Sequence, residues 1–587
     1  MAHRKSGNKR FTVRVLLGTM TLGIVPSPHA ATHVVTDCGN SGTNTLRGRV
    51  AAASSGDTID LAACTTINLS TTVKVTQSSL TLRGKIPSPG FPTVHTVISG
   101  QELIRPLQHT GVGTLSLQYL GVHKGLSEGT AASGGCIFSN GSVSLLDTQV
   151  RWCIARRTSG NATLSGGGIH AAKNLTLEHG EIRDSKLVGA TSGPLQGGGS
   201  WSGGMTTASG ASTYSGNRIE SGFGNSNTGG GALWTSGGLD LQDTTVRDNA
   251  FAALASAGFC VGGGIHAQAA ATGSTQVLIR DSTIRGNSAS NGNFAGGLCL
   301  EGAGLEAELE GVLVLENTAA TSFAGVYAVG IQSFTVRNST IADNVADTVN
   351  AGLAVKSTAR VVIISSTISG NRAKNFAGVF IESVPELEII QTTISDNWIT
   401  GSGAHGAGLI LSQTTLAGAI VRNSTISANR GQDLPSGSPS VGASGIGLWL
   451  GTGGNATLSS TIIADNHWDT VYGSGTRVIH FSDVDGSMSS GLTGTRNLIG
   501  TSSYTLPANN LWSNYPFLGP LQDNGGPTHT QLPLANSPAL DAGLGNGLDW
   551  DQRGAPHVRI RGAGADIGAV ESSFGGDELF RDGFESP

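Results

Sequence analysis

The chain has 587 residues, of which 88 are glycine and only 13% are charged, and its formal net charge is −5. A charge this small, with no basic stripe and no interleaving of basic and aromatic residues, excludes a nucleic-acid binder. The glycine content lies far outside average usage, and the apolar residues keep their phase over hundreds of positions. Low complexity is therefore set aside in favour of a repeat architecture.

Residues 1–30 read as a secretory signal. His3, Arg4, Lys5, Lys9, Arg10 and Arg14 give a basic start, and Val15 to Val25 is an apolar run too short to span a bilayer. Cleavage is expected at Ala30 or Ala31, with an uncleaved anchor as the alternative. No later apolar stretch is long enough for a membrane helix, so none is expected beyond the signal.

Residues 31–125 are assigned to an N-terminal cap and the first coils. Thr45 to Ala53 reads as a short helix with Leu46, Val50 and Ala53 on one face, and Thr58 to Leu61 as a strand. A solenoid needs its apolar end covered, and this segment suits that task.

Residues 126–500 carry the repeat. An asparagine returns every 26 to 38 residues, usually closing the phrase Thr-Ile-x-x-Asn, at Asn249, Asn287, Asn317, Asn344, Asn371, Asn397, Asn429 and Asn466. Upstream the same slot holds Cys153, Ser185 and Asn217. A glycine phrase runs in step: Gly168-Ile169, Gly264-Ile265, Gly297-Leu298, Gly325-Val326, Gly352-Leu353, Gly378-Val379, Gly408-Leu409 and Gly447-Leu448. Between Ala351 and Phe376 the alternation marks three short strands: Leu353 to Val355, Val361 to Ile364, and Thr367-Ile368 leading to Asn371. Three strands per coil with no helix give an all-β right-handed parallel β-helix solenoid. About 12 coils at about 4.8 Å each predict a rod on the order of 58 Å, capped at both ends. Asparagine tolerates left-handed backbone, and its amide can bond the amide of the next coil. The asparagines are thus expected to form a buried ladder, while Asn350 lies out of phase and is expected to be exposed.

Six cysteines in an exported chain suggest disulfides. Sequence proximity favours Cys38 with Cys64, Cys136 with Cys153 and Cys260 with Cys299, although six cysteines allow fifteen pairings. Cys136 holds the glycine slot and Cys153 the asparagine slot. Their bridge would close a short loop, worth about 3 kcal/mol in the chain-entropy model.

Two further segments carry resemblances. TDCGNSGTNTLRGRVAAASSGDTIDLAAC, from Thr36, resembles the opening of bacterial exported β-helix proteins, and the coils resemble the pectin-lyase-like superfold. Residues 501–571 form a C-terminal cap. From Arg496-Asn497-Leu498-Ile499-Gly500, LGPLQDNGGPTHTQLPLANSPALDAG (Leu518 to Gly543), Asp551-Gln552-Arg553-Gly554 and Ala565 to Glu571, the chain resembles the choice-of-anchor Q domain. That resemblance implies an exported bacterial protein, secreted or held at the outer cell surface, and implies no reaction. Residues 572–587 form a tail ending LFRDGFESP, which resembles short tails of exported proteins of some gammaproteobacteria.

Enzymes built on β-helices suggest what chemistry to look for. A hydrolase needs a general acid and a second carboxylate nearby. Ala404-His405-Gly406 and Arg559-Ile560-Arg561 resemble the histidine and basic elements of such a site but lie far apart in the chain, so no catalytic residue is assigned. A lyase needs calcium-binding carboxylates and a base. Asp248, Asp343, Asp396 and Asp465 each precede a ladder asparagine and could line one edge, which makes calcium the one cofactor worth considering. The position before Asn is nevertheless read as a turn that favours Asp, Gly and Ala. Glu306, Glu308 and Glu310 share a strand face and are read as solvated, and Asp483-Val484-Asp485-Gly486 as a structural turn. An aromatic stripe among Trp152, Trp201, Trp234, Trp398, Trp449 and Trp468 would suggest glycan binding. The expected role is a monomeric, non-enzymatic adhesion or glycan-interaction protein, its partner a polysaccharide or cell-surface glycan. The alternative is a polysaccharide lyase or glycoside hydrolase acting on pectin-like polymers.

Overall fold

The computed structural model describes residues 30–572 apart from 88–95, 190–192, 221–222, 225–227, 253, 256–259, 291–293, 416 and 436–441. The signal assigned to residues 1–30 and the tail at 572–587 fall, but for their inner residues, outside the described part.

One coil shows how the sequence makes the fold. After Gly352 the chain runs through Leu353–Lys356, Arg360–Ile364, Thr367–Ser369 and Arg372–Ala373, then begins again at Val379–Glu382. Each strand pairs in parallel with its counterpart one coil on, as Val361 does with Leu387 and Ile368 with Ile394. Among the described residues these pairings build four long parallel sheets. Sheet 1 follows the glycine phrase, with 14 strands from Val73–Val75 to Val484–Gly486. Sheet 2 has 16 strands from Thr32–Val34 to Gly491–Thr495, and sheet 3, with the Thr-Ile phrase, has 16 from Thr66–Asn68 to Leu511–Trp512. Sheet 4 has 10 strands from Leu126–Gly129 to Trp398–Ile399.

Sheet 4 is the difference from the three-strand expectation. Its strands follow the ladder asparagine and are often two residues long, too short for alternation to register. The stack also continues below the roughly twelve coils marked by the repeat phrase, because the coils before Gly125 keep the register without the asparagine. Sixteen strands at about 4.8 Å make a rod on the order of 70 Å.

Inward side chains stack on their own kind. Ile341, Ile368, Ile394, Ile426, Ile463 and Ile499 form one fully buried file, and each such side chain contributes about 1.5–3 kcal/mol. The N-terminal end is closed by the helix Leu46–Ala52, capped by Thr45 and burying Leu46 and Val50.

The asparagines fill the corner between sheets 3 and 4. Asn371 is fully buried; its Nδ2 donates to Asn397 Oδ1 (2.9 Å) and to Ile341 O (3.0 Å). Its Oδ1 accepts from Asn344 Nδ2 (2.9 Å) and from the Asn344 amide (3.1 Å). The same pattern runs from Asn217 through Asn249, Asn287, Asn317, Asn344, Asn371, Asn397 and Asn429 to Asn466. It ends on Asp483, whose Oδ1 accepts from Asn466 Nδ2 at 2.8 Å. Asn350 is buried with φ of 58°, so it too serves a turn rather than facing solvent.

The ladder also explains the glycine phrase. A Cβ at Gly352 would lie 2.5 Å from Gly378 O and 2.9 Å from Asn371 Nδ2, so the asparagine amide occupies the space a side chain would need. In an earlier coil these two slots hold Cys136 and Cys153, which form a disulfide in place of the glycine–amide contact. Cys38–Cys64 and Cys260–Cys299 are the other two disulfides.

Candidate functional site

The residue before each ladder position is a conformational column. Trp152, Asp184, Asp248, Glu316, Asp343, Asp396, Ala428 and Asp465 all have φ between 50° and 62°, and Gly216, Gly286 and Gly370 join them at 63–65°. Left-handed backbone is tolerated by Gly, Asn and Asp, which accounts for the carboxylates here without a ligand. Asp343 and Asp396 stand two coils apart with Gly370 between them, and among the described residues no group of three or more His, Cys, Asp or Glu side chains could hold a metal ion.

Sheet 3 is divided into two unlike halves. In its later coils the outward side chains are small: Thr340 and Ala342, Thr367 and Ser369, Thr393 and Ser395, Thr425 and Ser427. The C-terminal segment does more than close the rod; from Leu518 onward it turns back along this half and covers it. Gln552 is fully buried there, donating Nε2 to Ser366 O (3.1 Å) and Thr367 Oγ1 (3.0 Å) and accepting from Thr393 Oγ1 (2.6 Å). Thr367 Oγ1 donates to His529 O at 2.6 Å, the Ala569 amide to Thr425 Oγ1 at 3.0 Å, and Asn423 Nδ2 to Leu544 O at 2.8 Å.

A cleft of about 460 Å³ lies where this arm meets the coils, lined among others by Leu313, Asp343, Asp396, Leu521, Pro527 and His529. Burial, with Glu316 nearby, pushes the Asp343 carboxyl up. Burial also raises Asp396, against a hydrogen bond from Ser395 and the charge of Arg430. The two fragments resembling hydrolase elements do not meet here. His405 stacks on Trp449 with ring centres 4.0 Å apart, and Arg559 is fully buried inside the arm, donating to Asp566 O.

The earlier half of sheet 3 is charged; Pro87 lies beside its Gln149, Glu181 and Thr213, while among the described residues its arginine-bearing edge is exposed. Arg151, Arg183, Ser215, Arg247 and Arg285 follow one another in register on its outer face. Each arginine has an acidic partner. Arg151 pairs with Glu181, Arg183 with Asp184 (2.8 Å), Arg247 with Asp248 (2.7 Å) and Arg285 with Glu316 (2.7 Å). At the foot of this flank Trp152 is 41% exposed, its ring edge-on to His123 at 5.4 Å. Burial, then Arg151 and Lys124, lower the His123 imidazole to about 4, so it is neutral at pH 7.

The aromatics stacked on sheet 1 do not form a sugar platform. Phe138, His170, Trp201 and Trp234 are in register on sheet 1, stacked face to face at 4.6, 4.4 and 6.0 Å. Stacked rings hide the faces a sugar would use, and the Arg105 guanidinium covers Phe138 at 5.2 Å. Trp398 lies under Arg372 at 4.4 Å, and Trp468 stacks on His480 at 4.0 Å.

One file was missed in the sequence although its signal was present. The residue before Thr-Ile is Ser282, Ser339, Ser366, Thr392 or Ser424, and these hydroxyls form a second ladder at the corner of sheets 2 and 3. The Ser339 amide donates to Ser366 Oγ (3.2 Å) and the Thr392 amide to Ser424 Oγ (3.2 Å).

Residues 269–432, and in a second overlapping match residues 324–510, fit the family model for the right handed beta helix region. No curated protein matches the chain. The matched coils carry most of the ladder and strands of all four parallel sheets, and the family match and the sheets together make the chain a right-handed parallel β-helix.

Proposed function

We propose that this protein is an exported, non-enzymatic β-helix that binds glycan along the open half of sheet 3. The observation that carries the reading is the contrast within that one sheet. Its later half is small-residued and occupied by the chain's own C-terminal arm. Its earlier half presents an exposed tryptophan, Trp152, beside a file of arginine–carboxylate pairs. Such pairs offer planar donors and acceptors to sugar hydroxyls, and an exposed indole offers a face for the sugar ring. The rise of one coil is comparable with one unit of an extended polysaccharide, so one side-chain file can meet successive sugars. Export is supported by the basic and apolar opening of the chain and by its likeness to the choice-of-anchor Q domain.

Affinity electrophoresis against neutral and acidic polysaccharides tests the reading. Retardation by at least one glycan, reduced in Trp152→Ala, is expected. Mobility unchanged in every polysaccharide would remove it.

A second reading, a lyase or hydrolase, rests on the cleft holding Asp343 and Asp396, two carboxyls raised by burial. Two coils separate them by about 10 Å, just beyond the spacing of an inverting carboxylate pair, and the intervening Gly370 supplies no third ligand for calcium.

A further inference from the structure

We propose that the free edge of the strand Arg477–Phe481 docks a second copy of this chain, which adds its own Arg477–Phe481 antiparallel about a two-fold axis at Ile479. The inference does not rest on the glycan reading, and it replaces the monomer expected from the sequence.

The edge arises where the chain leaves the coil pattern. Trp398 bridges to Arg430 and Arg430 to His467, so the direction of sheet 4 is carried on into the strand His467–Val471, which also pairs with Leu434–Pro435. The chain then folds back into Arg477–Phe481, an antiparallel partner where a coil would have gone on. Among the described residues Arg477–Phe481 is the last strand of this three-stranded sheet, with no neighbour on its far side.

The register decides which backbone groups are free. The Tyr472 amide donates to Thr476 O and the Ser482 amide to Asn466 O. The hydrogen-bonded pairs of the hairpin therefore run Asn466 with Ser482, Trp468 with His480, Thr470 with Val478 and Tyr472 with Thr476. Arg477, Ile479 and Phe481 fall between those pairs and turn their N–H and C=O groups away from the hairpin. Val478 and Ile479 are 42% and 48% exposed, so nothing in the chain shields the edge there.

Exposed edges are normally blunted by proline, by charge or by a bulge. Here the strand reads Arg-Val-Ile-His-Phe, rich in strand-forming residues and free of proline. Its arginine is held by Asp433 at 2.7 Å and by Asp469 at 2.9 Å, which removes the repulsion it would otherwise offer an incoming strand.

The strand that fits this edge best is its own copy. With the axis at Ile479, that residue lies opposite its own equivalent, and Arg477 lies opposite the equivalent of Phe481. Each of these pairs joins two residues whose backbone groups turn outward, so all are of the hydrogen-bonded kind and together give about six N–H···O bonds. The side chains agree: isoleucine meets isoleucine, a guanidinium meets a ring, and on the other face Val478 meets the equivalent of His480, with no like charges opposed. A slip by one residue would set outward groups against inward ones, which fixes the register. The contact is isologous and consumes both edges, so association stops at the dimer.

Sedimentation equilibrium of the full chain over a concentration series tests the proposal. The native chain is expected to show a reversible monomer–dimer equilibrium. Ile479→Lys sets two ammonium groups against each other at the axis, and Ile479→Pro removes an N–H that the hairpin itself does not use. Each should weaken dimerisation at least tenfold while the unfolding midpoint stays near the native one. Ile479→Cys should yield a disulfide-linked dimer under mild oxidation, since hydrogen-bonded antiparallel partners lie about 5.5 Å apart at Cα, within disulfide range. Leu313→Cys, of similar exposure at 40% but on sheet 3, should not. A native chain that stays monomeric at every concentration would overturn the proposal. So would a dimer that survives both Ile479→Lys and Ile479→Pro, because its contact would lie elsewhere. A monomer that takes up an added, unrelated strand-forming peptide at this edge would overturn the second copy as its occupant.

Discussion

Replacing Asn371 by Ala probes the principle on which the coils stack. The substitution removes an amide that is fully buried and bonded on every side. The backbone N–H of residue 371 still reaches Asn397 Oδ1, so the acceptor above keeps one donor. Two groups lose their partner, the Asn344 amide N–H and one Asn344 Nδ2 hydrogen, and Ile341 O loses the bond from Asn371 Nδ2. At about 1–3 kcal/mol for each buried unpaired group, and with room for a water to enter where the amide stood, a net cost of about 3 kcal/mol is expected. Because each coil contacts only its neighbours, the loss should be local. Hydrogen exchange by mass spectrometry is the suitable assay: peptides spanning Asn344 should exchange on the order of a hundredfold faster, with coils remote from the change unaffected. Asn140→Ala is the control, since Asn140 is exposed and its Nδ2 makes one long bond of 3.4 Å to Thr110 O. Equal effects of the two substitutions, or fast exchange spread over the whole rod, would refute the reasoning.

Three further outcomes are expected. Gln552→Ala should release the arm, because it removes bonds to Ser366, Thr367 and Thr393 at once; limited proteolysis should then cut within residues 518–572 while the coils stay intact. Burial, with Asp566 beside it, raises Glu571 from 4.5 to about 8. A carboxyl whose folded value is raised contributes stability that is complete below its unfolded value and is lost as pH climbs through the folded one, so arm protection in hydrogen exchange should fall between about pH 5 and 8, and Glu571→Gln should flatten that dependence. Non-reducing peptide mapping should recover Cys136 linked to Cys153; a free thiol at either position would contradict the slot exchange that joins them.

Much of the fold could be read from the sequence because the β-helix repeats its local chemistry. Asn371 recurs in phase because an amide must meet an amide at each coil, and Gly352 recurs because that amide leaves no room for a Cβ. Sheet 4 was not legible, since two residues such as Arg372–Ala373 cannot display an alternation. The path of the C-terminal arm was not legible either. Its anchors, Gln552 and His529 O, bind hydroxyls whose Thr-Ile-Ser repeat reads equally well as solvent-facing strand. At the candidate site, Trp152 and the aspartates were visible as residue types. The break in the arginine file was not, because it depends on Ser215 standing between Arg183 and Arg247 in a register that only the fold supplies.

The central claim, glycan binding without turnover, is tested most directly by measuring retention and product release in the same samples. The native chain is incubated with neutral and acidic polysaccharides, with and without calcium, and assayed for binding, for new reducing ends and for ultraviolet absorbance from unsaturated uronides. The account predicts binding with neither product. A calcium-dependent rise in absorbance on polygalacturonate, lost in Asp343→Ala, would contradict it and move the site to the cleft beside the arm.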